Sequence, residues 1–73
     1  MRVGTRVTGT YADVRAVAGA SAGEIRCRVR EVRVTGTIIF VNEARGTAIV
    51  AFERPVRPGV RGSIFELHEL EAA

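Results

Sequence analysis

Apolar and polar side chains alternate through much of the first half of this chain with a period of two, the period of a β-strand. The clearest run is "EIRCRVREVRV" (Glu24–Val34), in which Ile25, Cys27 and Val29 alternate with Arg26, Arg28 and Arg30. Valine, isoleucine and threonine dominate, glycines punctuate, and only the last ten residues have helical flavour. The pattern predicts an all-β fold with short connections. "RVTGT" occurs twice, at Arg6–Thr10 and Arg33–Thr37, and reads as a local strand solution used twice.

The first predicted hairpin runs from Thr5–Val17 to Glu24–Val34, joined by "AGASAG", whose small residues and two glycines suit a turn. A register that places Ala12 opposite Val29, Val14 opposite Cys27 and Ala16 opposite Ile25 gathers apolar side chains on one face, expected to be the core face. The other face then receives Tyr11, Asp13 and Arg15 from one strand and Arg26, Arg28 and Arg30 from the other. Asp13 would face Arg28, a pair worth about 0.2–1 kcal/mol. After Arg30 the apolar phase changes from odd to even positions, at Val32 and Val34. A β-bulge near Arg30–Glu31 would return the apolar side to the core, and Gly36 supplies a second bend. Strands that bend in this way close small barrels.

The second predicted hairpin is "TIIFV" and "TAIVAF" flanking "NEARG", with Asn42 starting the turn and Gly46 free to take positive φ. Both strands are almost continuously apolar, so both faces are expected to be covered. "ERPVRPGV" is a loop, because Pro55 and Pro58 cannot donate ladder hydrogen bonds. A last strand is expected over Gly62–Leu67, followed by a helical turn. A short helix is the alternative, with Ser63 and Glu66 spaced as a capping box and Ile64, Leu67 and Leu70 on one side.

Size and charge narrow the picture. Seventy-three residues make one domain, and a chain of this length buries only about 60% of its unfolded surface, so its stability is thin. No apolar run approaches the roughly 18 residues of a membrane span, and the start lacks the apolar region of a signal peptide, which leads to an expectation of the cytoplasm. Formal net charge is +3, and every basic residue apart from His68 is arginine. Arginine suits phosphates and carboxylates and stacks on aromatic rings, although a chain rich in Arg, Ala, Gly and Val also fits a GC-rich genome. Glu66, Glu69 and Glu71 lie in a tail without arginine, so the body before them is the more basic part.

Candidate chemistry is sparse. Cys27 and His68 are the only residues of their kinds; they build neither a disulfide nor a zinc site, and Cys27 is expected to be a small buried apolar side chain. Ser21 and Ser63 have no acid–base partner nearby, and "GASAG" lacks the Lys-Ser/Thr of a phosphate loop. No catalytic residue, metal or cofactor is expected. The best candidate is the face of Tyr11, Arg15, Arg26, Arg28 and Arg30. Arginines at alternate positions can track phosphates, and an aromatic beside them offers a stacking platform worth ~1–3 kcal/mol per base. The same charges would also guard an edge strand against aggregation.

"GTIIFVNEARGTAIV", Gly36 to Val50, resembles the start of a cold-shock domain, where G-x-V-K-W-F-N leads through a short turn into K-G-F-G-F-I. Gly36, Asn42 and Gly46 match in kind and spacing. Phe40 falls where the family has tryptophan, and Arg45 where it has lysine. The resemblance implies that Phe40 and Arg45 face nucleic acid, whereas Thr47 and Ile49 replace the motif's two stacking aromatics. It covers about a fifth of the chain and leaves two strands before it where the family has two after.

Together these readings predict one domain over residues 1–73, a five-stranded, strongly bent antiparallel barrel of the OB or SH3-like kind. The expected function is nucleic-acid binding or regulation without catalysis, through Tyr11, Arg15, Arg26, Arg28, Arg30, Phe40 and Arg45, with DNA and RNA both open. The alternative is a protein-interaction module, such as a phage or mobile-element inhibitor directed at an acidic host-protein surface. A homodimer by sheet continuation also stands open, and a small oligomeric enzyme is the third class.

Overall fold

The structure is a computed structural model that describes residues 1–19 and 23–73; the connector positions 20–22 lie outside the described residues, as does the side chain at position 18. Five antiparallel strands form one sheet: β1 (Arg6–Ala18), β2 (Ile25–Asn42), β3 (Thr47–Phe52), β4 (Gly62–Glu66) and β5 (Glu71–Ala72), in the order β4-β3-β2-β1-β5. The all-β expectation holds, but the sheet is not closed into a barrel. With only two residues, β5 reaches just Val7 and Thr8 of β1. From Gly9 onward β1 has no strand on that side among the described residues.

The two "RVTGT" segments pair with each other. Val7 lies opposite Gly36, Thr8 opposite Thr35 and Gly9 opposite Val34, so each valine faces the other segment's glycine. The exchange of large for small lets the core face curve tightly. A Cβ on Gly36 would run into the Ala51 carbonyl oxygen, and one on Gly9 would meet Leu70 Cδ2 at 3.0 Å. Val7, Val34, Ile38, Ala48, Val50, Phe65 and Leu70 form the buried core, with Tyr11, Val32, Val41, Phe52, Val56 and Leu67 packed against it.

The bulge falls elsewhere than expected. Pairing of β1 with β2 runs unbroken from Arg6↔Thr37 to Ala18↔Ile25, with no bulge at Arg30–Glu31. The irregularity lies between β2 and β3, where Ile38↔Val50 is followed by Phe40↔Ile49 and Ile39 is the extra residue. Ile38 is fully buried, whereas Ile39 and Phe40 are 55% and 54% exposed. The central hairpin is therefore covered on one face only, not on two. Sequence alone misreads it because an apolar run looks the same whether its second face meets a layer or solvent.

The remaining pieces follow their local chemistry. Gly46 (φ 65°) closes the β2–β3 turn and Gly59 (φ 85°) the β3–β4 loop. That loop carries the expected prolines, and its Val56 reaches back to the core. After β4, Leu67–Glu69 forms one 3₁₀ turn, matching the strand-then-turn reading; Ser63 sits inside β4 and caps no helix. Instead the Glu66 N–H donates to Glu69 Oε1 at 3.0 Å. The turn carries the chain from β4 to β5 and seats Leu70 in the core. Among the described residues no helix is long and apolar enough to cross a membrane.

Candidate nucleic-acid interface

Because side chains alternate without interruption, the core face of β2 can be followed outward from Val34 and Val32 to Arg30, Arg28 and Arg26. On β1 it continues from Val7, Gly9 and Tyr11 to Asp13, Arg15 and Val17. The strands β3 and β5 stop well short of this region, so the outer part of β1–β2 is a two-stranded ribbon, in a molecule 48 Å along its longest axis. The arginine face predicted from sequence exists, but it is the extension of the core face. The apolar residues expected to be buried lie on the opposite side: Val14, Ile25 and Val29 are 51%, 73% and 60% exposed, and Cys27 is exposed.

The register also differs from expectation by two residues. Arg15 faces Arg28, Asp13 faces Arg30, and Val17 faces Arg26; Val14 faces Val29, and Ala16 faces Cys27. A shift of two preserves the faces and changes only the partners. Asp13 is almost fully buried, at 2% exposure. Its carboxylate lies 3.3 Å from Arg15 Nε and 3.0 Å from Arg57 Nε; the latter contact is an ion pair without hydrogen-bond geometry. Arg57 comes from the β3–β4 loop, where nothing in its local sequence marks it as Asp13's partner. Arg26 pairs with Glu24 at 2.8 Å, whereas Arg28 and Arg30 are exposed and have no ion-pair partner among the described residues. A cleft of about 230 Å³ is lined by Asp13, Arg15, Val17, Arg28 and Arg30.

Tyr11 shares this face, but its ring is half-buried at the core's edge. It meets Phe52 edge-on at 5.6 Å between centroids, and Phe52 meets Phe65 at 6.2 Å. Tyr11 therefore packs at the edge of the core, directly below the arginines. Phe40 and Arg45 lie on the other face of the sheet. Phe40, Ile49 and Ile64 are neighbours across β2, β3 and β4, and with Asn42, Arg45 and Thr47 they line a second cleft of about 240 Å³. Ile64 is 65% exposed. The candidate residues thus form two separate groups, Arg15, Arg26, Arg28 and Arg30 on the ribbon and Phe40 with Arg45 behind the sheet.

Between these regions the outer surface carries ion pairs. Arg6 binds both carboxylate oxygens of Glu53, which holds the Glu53 carboxyl below its usual range and raises Arg6. Arg33 donates to Thr8 at 2.9 Å and lies 3.5 Å from Glu71. His68 is exposed, 3.2 Å from Glu66. Among the described residues no group of three or more His, Cys, Asp or Glu side chains is placed to hold a metal. No family model, no curated protein and no solved structure matches the chain.

Proposed function

We propose that this chain is a small, non-enzymatic nucleic-acid-binding protein that grips the phosphate backbone with Arg15, Arg26, Arg28 and Arg30. The observation that carries the reading is the facing of Arg15 and Arg28 on the open ribbon, with Arg30 beside them and without an ion-pair partner among the described residues. Like charges directly opposite one another destabilise a sheet. The arrangement is relieved when an anion sits between the guanidinium groups, and phosphate accepts the planar fork of arginine in pairs. A two-stranded ribbon is also a shape that the duplex major groove admits. Sequential pairing of β1 through β4 is a meander, not the Greek-key order of an OB-fold, which favours the SH3-like alternative for the scaffold.

The test is fluorescence anisotropy with labelled single- and double-stranded DNA and RNA across a salt series. Four phosphate contacts predict a log–log salt slope of about −3.6 on duplex DNA, and Arg28→Ala should reduce it by about 0.9. Absence of binding to all four ligands at low salt refutes the proposal. A second reading, a protein-interaction module, is favoured by the exposed Phe40–Ile49–Ile64 patch, since contiguous apolar surface marks contact sites. Under that reading a partner is recovered after nuclease treatment and lost with Phe40→Ser.

A further inference from the structure

We infer that the free edge of β1 pairs with the same edge of a second copy, antiparallel, about a two-fold axis at Val14. The edge is available and its polarity is known. The Arg6 carbonyl accepts from the Ala73 N–H at 2.9 Å, so on β1 the even-numbered residues turn their peptide groups away from β2. Alternation carries this to Ala12, Val14 and Ala16, where among the described residues no strand is present to receive them. The segment contains no proline and no bulge; the edge-guarding device it does carry is charge, at Asp13 and Arg15, and in this antiparallel pairing those two charges are of opposite sign across the axis.

Its residues are complementary to themselves. With Val14 on the axis, Val14 meets the partner subunit's Val14 and exchanges both of its free backbone hydrogen bonds. Ala12 meets the partner subunit's Ala16. Asp13 meets the partner subunit's Arg15, and Arg15 meets the partner subunit's Asp13. Both charge pairs fall on the arginine face in the closer, non-hydrogen-bonded positions. Because Asp13 is 2% exposed and already held by Arg15 and Arg57 of its own chain, the partner subunit's Arg15 joins an existing ion pair and does not meet a free carboxylate. Shifting the register by two residues either way loses that double match, so the charges select one alignment. This symmetric, same-patch contact is the commonest form of oligomer closure.

Pairing also supplies what the ribbon lacks. An isolated two-stranded hairpin is marginal in water, and three or more strands are needed for independent stability; two ribbons joined at β1 make four. The axis runs perpendicular to the sheet, so Arg15, Arg26, Arg28 and Arg30 of both copies look the same way and form one cationic surface. The dimer itself does not depend on nucleic acid and is tested without it.

Sedimentation or light scattering across a concentration series should show a monomer–dimer equilibrium. Val14→Lys, at a half-exposed site whose side chain points away from the core, sets two ammonium groups opposite each other; it should weaken dimerisation by about tenfold or more while leaving the circular dichroism spectrum unchanged. For the register, Val14→Cys in a Cys27→Ser background brings the introduced thiols onto Cα positions about 5.5 Å apart, within disulfide range. Ala12→Cys in the same background leaves them about 13 Å apart along the strands, and should not cross-link. A monomer at every concentration overturns the inference. So does a dimer that survives Val14→Lys unchanged, or one that cross-links at position 12 and not at 14. A dimer trapped through native Cys27 would place the second copy on the exposed apolar face and also overturn it.

Discussion

Replacing Asp13 with asparagine separates the stability of the ribbon's base from its charge. Asp13 is 2% exposed and is the only buried charged residue among those described, held between Arg15 and Arg57. Losing one member of a fully buried pair costs about 3–5 kcal/mol, because the survivor is left charged and dry. Here the survivors are wetter, at 53% and 39% side-chain exposure, and each can turn its guanidinium to water. The cost should therefore fall nearer that of losing charged hydrogen bonds, about 2 kcal/mol. In a domain this small, that lowers the melting temperature by about 8–16 °C. Thermal and urea unfolding followed by circular dichroism would read it, with a lower urea midpoint and an unchanged slope. The same substitution removes one negative charge from the arginine face, so its net charge becomes more positive by one. Under the proposed function, affinity for nucleic acid should rise while stability falls. A loss under about 0.5 kcal/mol would refute the structural role of the Asp13–Arg57 contact, since that is the range of ordinary surface changes. Affinity that falls in the still-folded variant would refute placing the ligand on this face.

Other positions test the core, the backbone and the ion pairs. Phe65→Ala removes the 5%-exposed ring beneath Phe52 and should cost about 3–5 kcal/mol, enough to leave much of the chain unfolded in a urea titration at low denaturant. Gly36→Ala, which usually favours a strand, should instead destabilise by about 1–3 kcal/mol, because its Cβ meets the fixed Ala51 carbonyl; neutral behaviour would show that β2 and β3 can move apart. The Glu53 carboxyl titrates lower when folded, so its contribution is full above its unfolded pKa and disappears as pH falls through the folded one. Acid unfolding of Glu53→Gln should accordingly show a shallower pH dependence below the ordinary glutamate range than the parent does.

Much of the secondary structure could be read directly. Val34 and Val32 mark one strand face, Asn42 and Gly46 the central turn, and the prolines the loop before β4. The grouping of Arg15, Arg26, Arg28 and Arg30 on one face was also legible, because a register error of two residues leaves faces intact. The pairing of Asp13 with Arg57 was not, since the two are brought together only when the β3–β4 loop folds over the ribbon's base. Nor was the separation of Phe40 and Arg45 from the arginines, which depends on the single extra residue at Ile39.

Where the strands lie, and which side chains share a side within each unbroken run of alternation, was legible from sequence, because period-two alternation is a local property of an extended backbone. The repeated "RVTGT", legible only as one strand solution used twice, proves to pair with itself, valine against glycine, in a register that the sequence did not predict. Which side is inside was settled by packing alone. One bulge reverses every side chain beyond it, so the choice rests on whether the strand is interrupted between Arg30 and Val32, and it is not. The arginines consequently continue the core face beyond the end of the core, and Val14, Ile25 and Val29 face out.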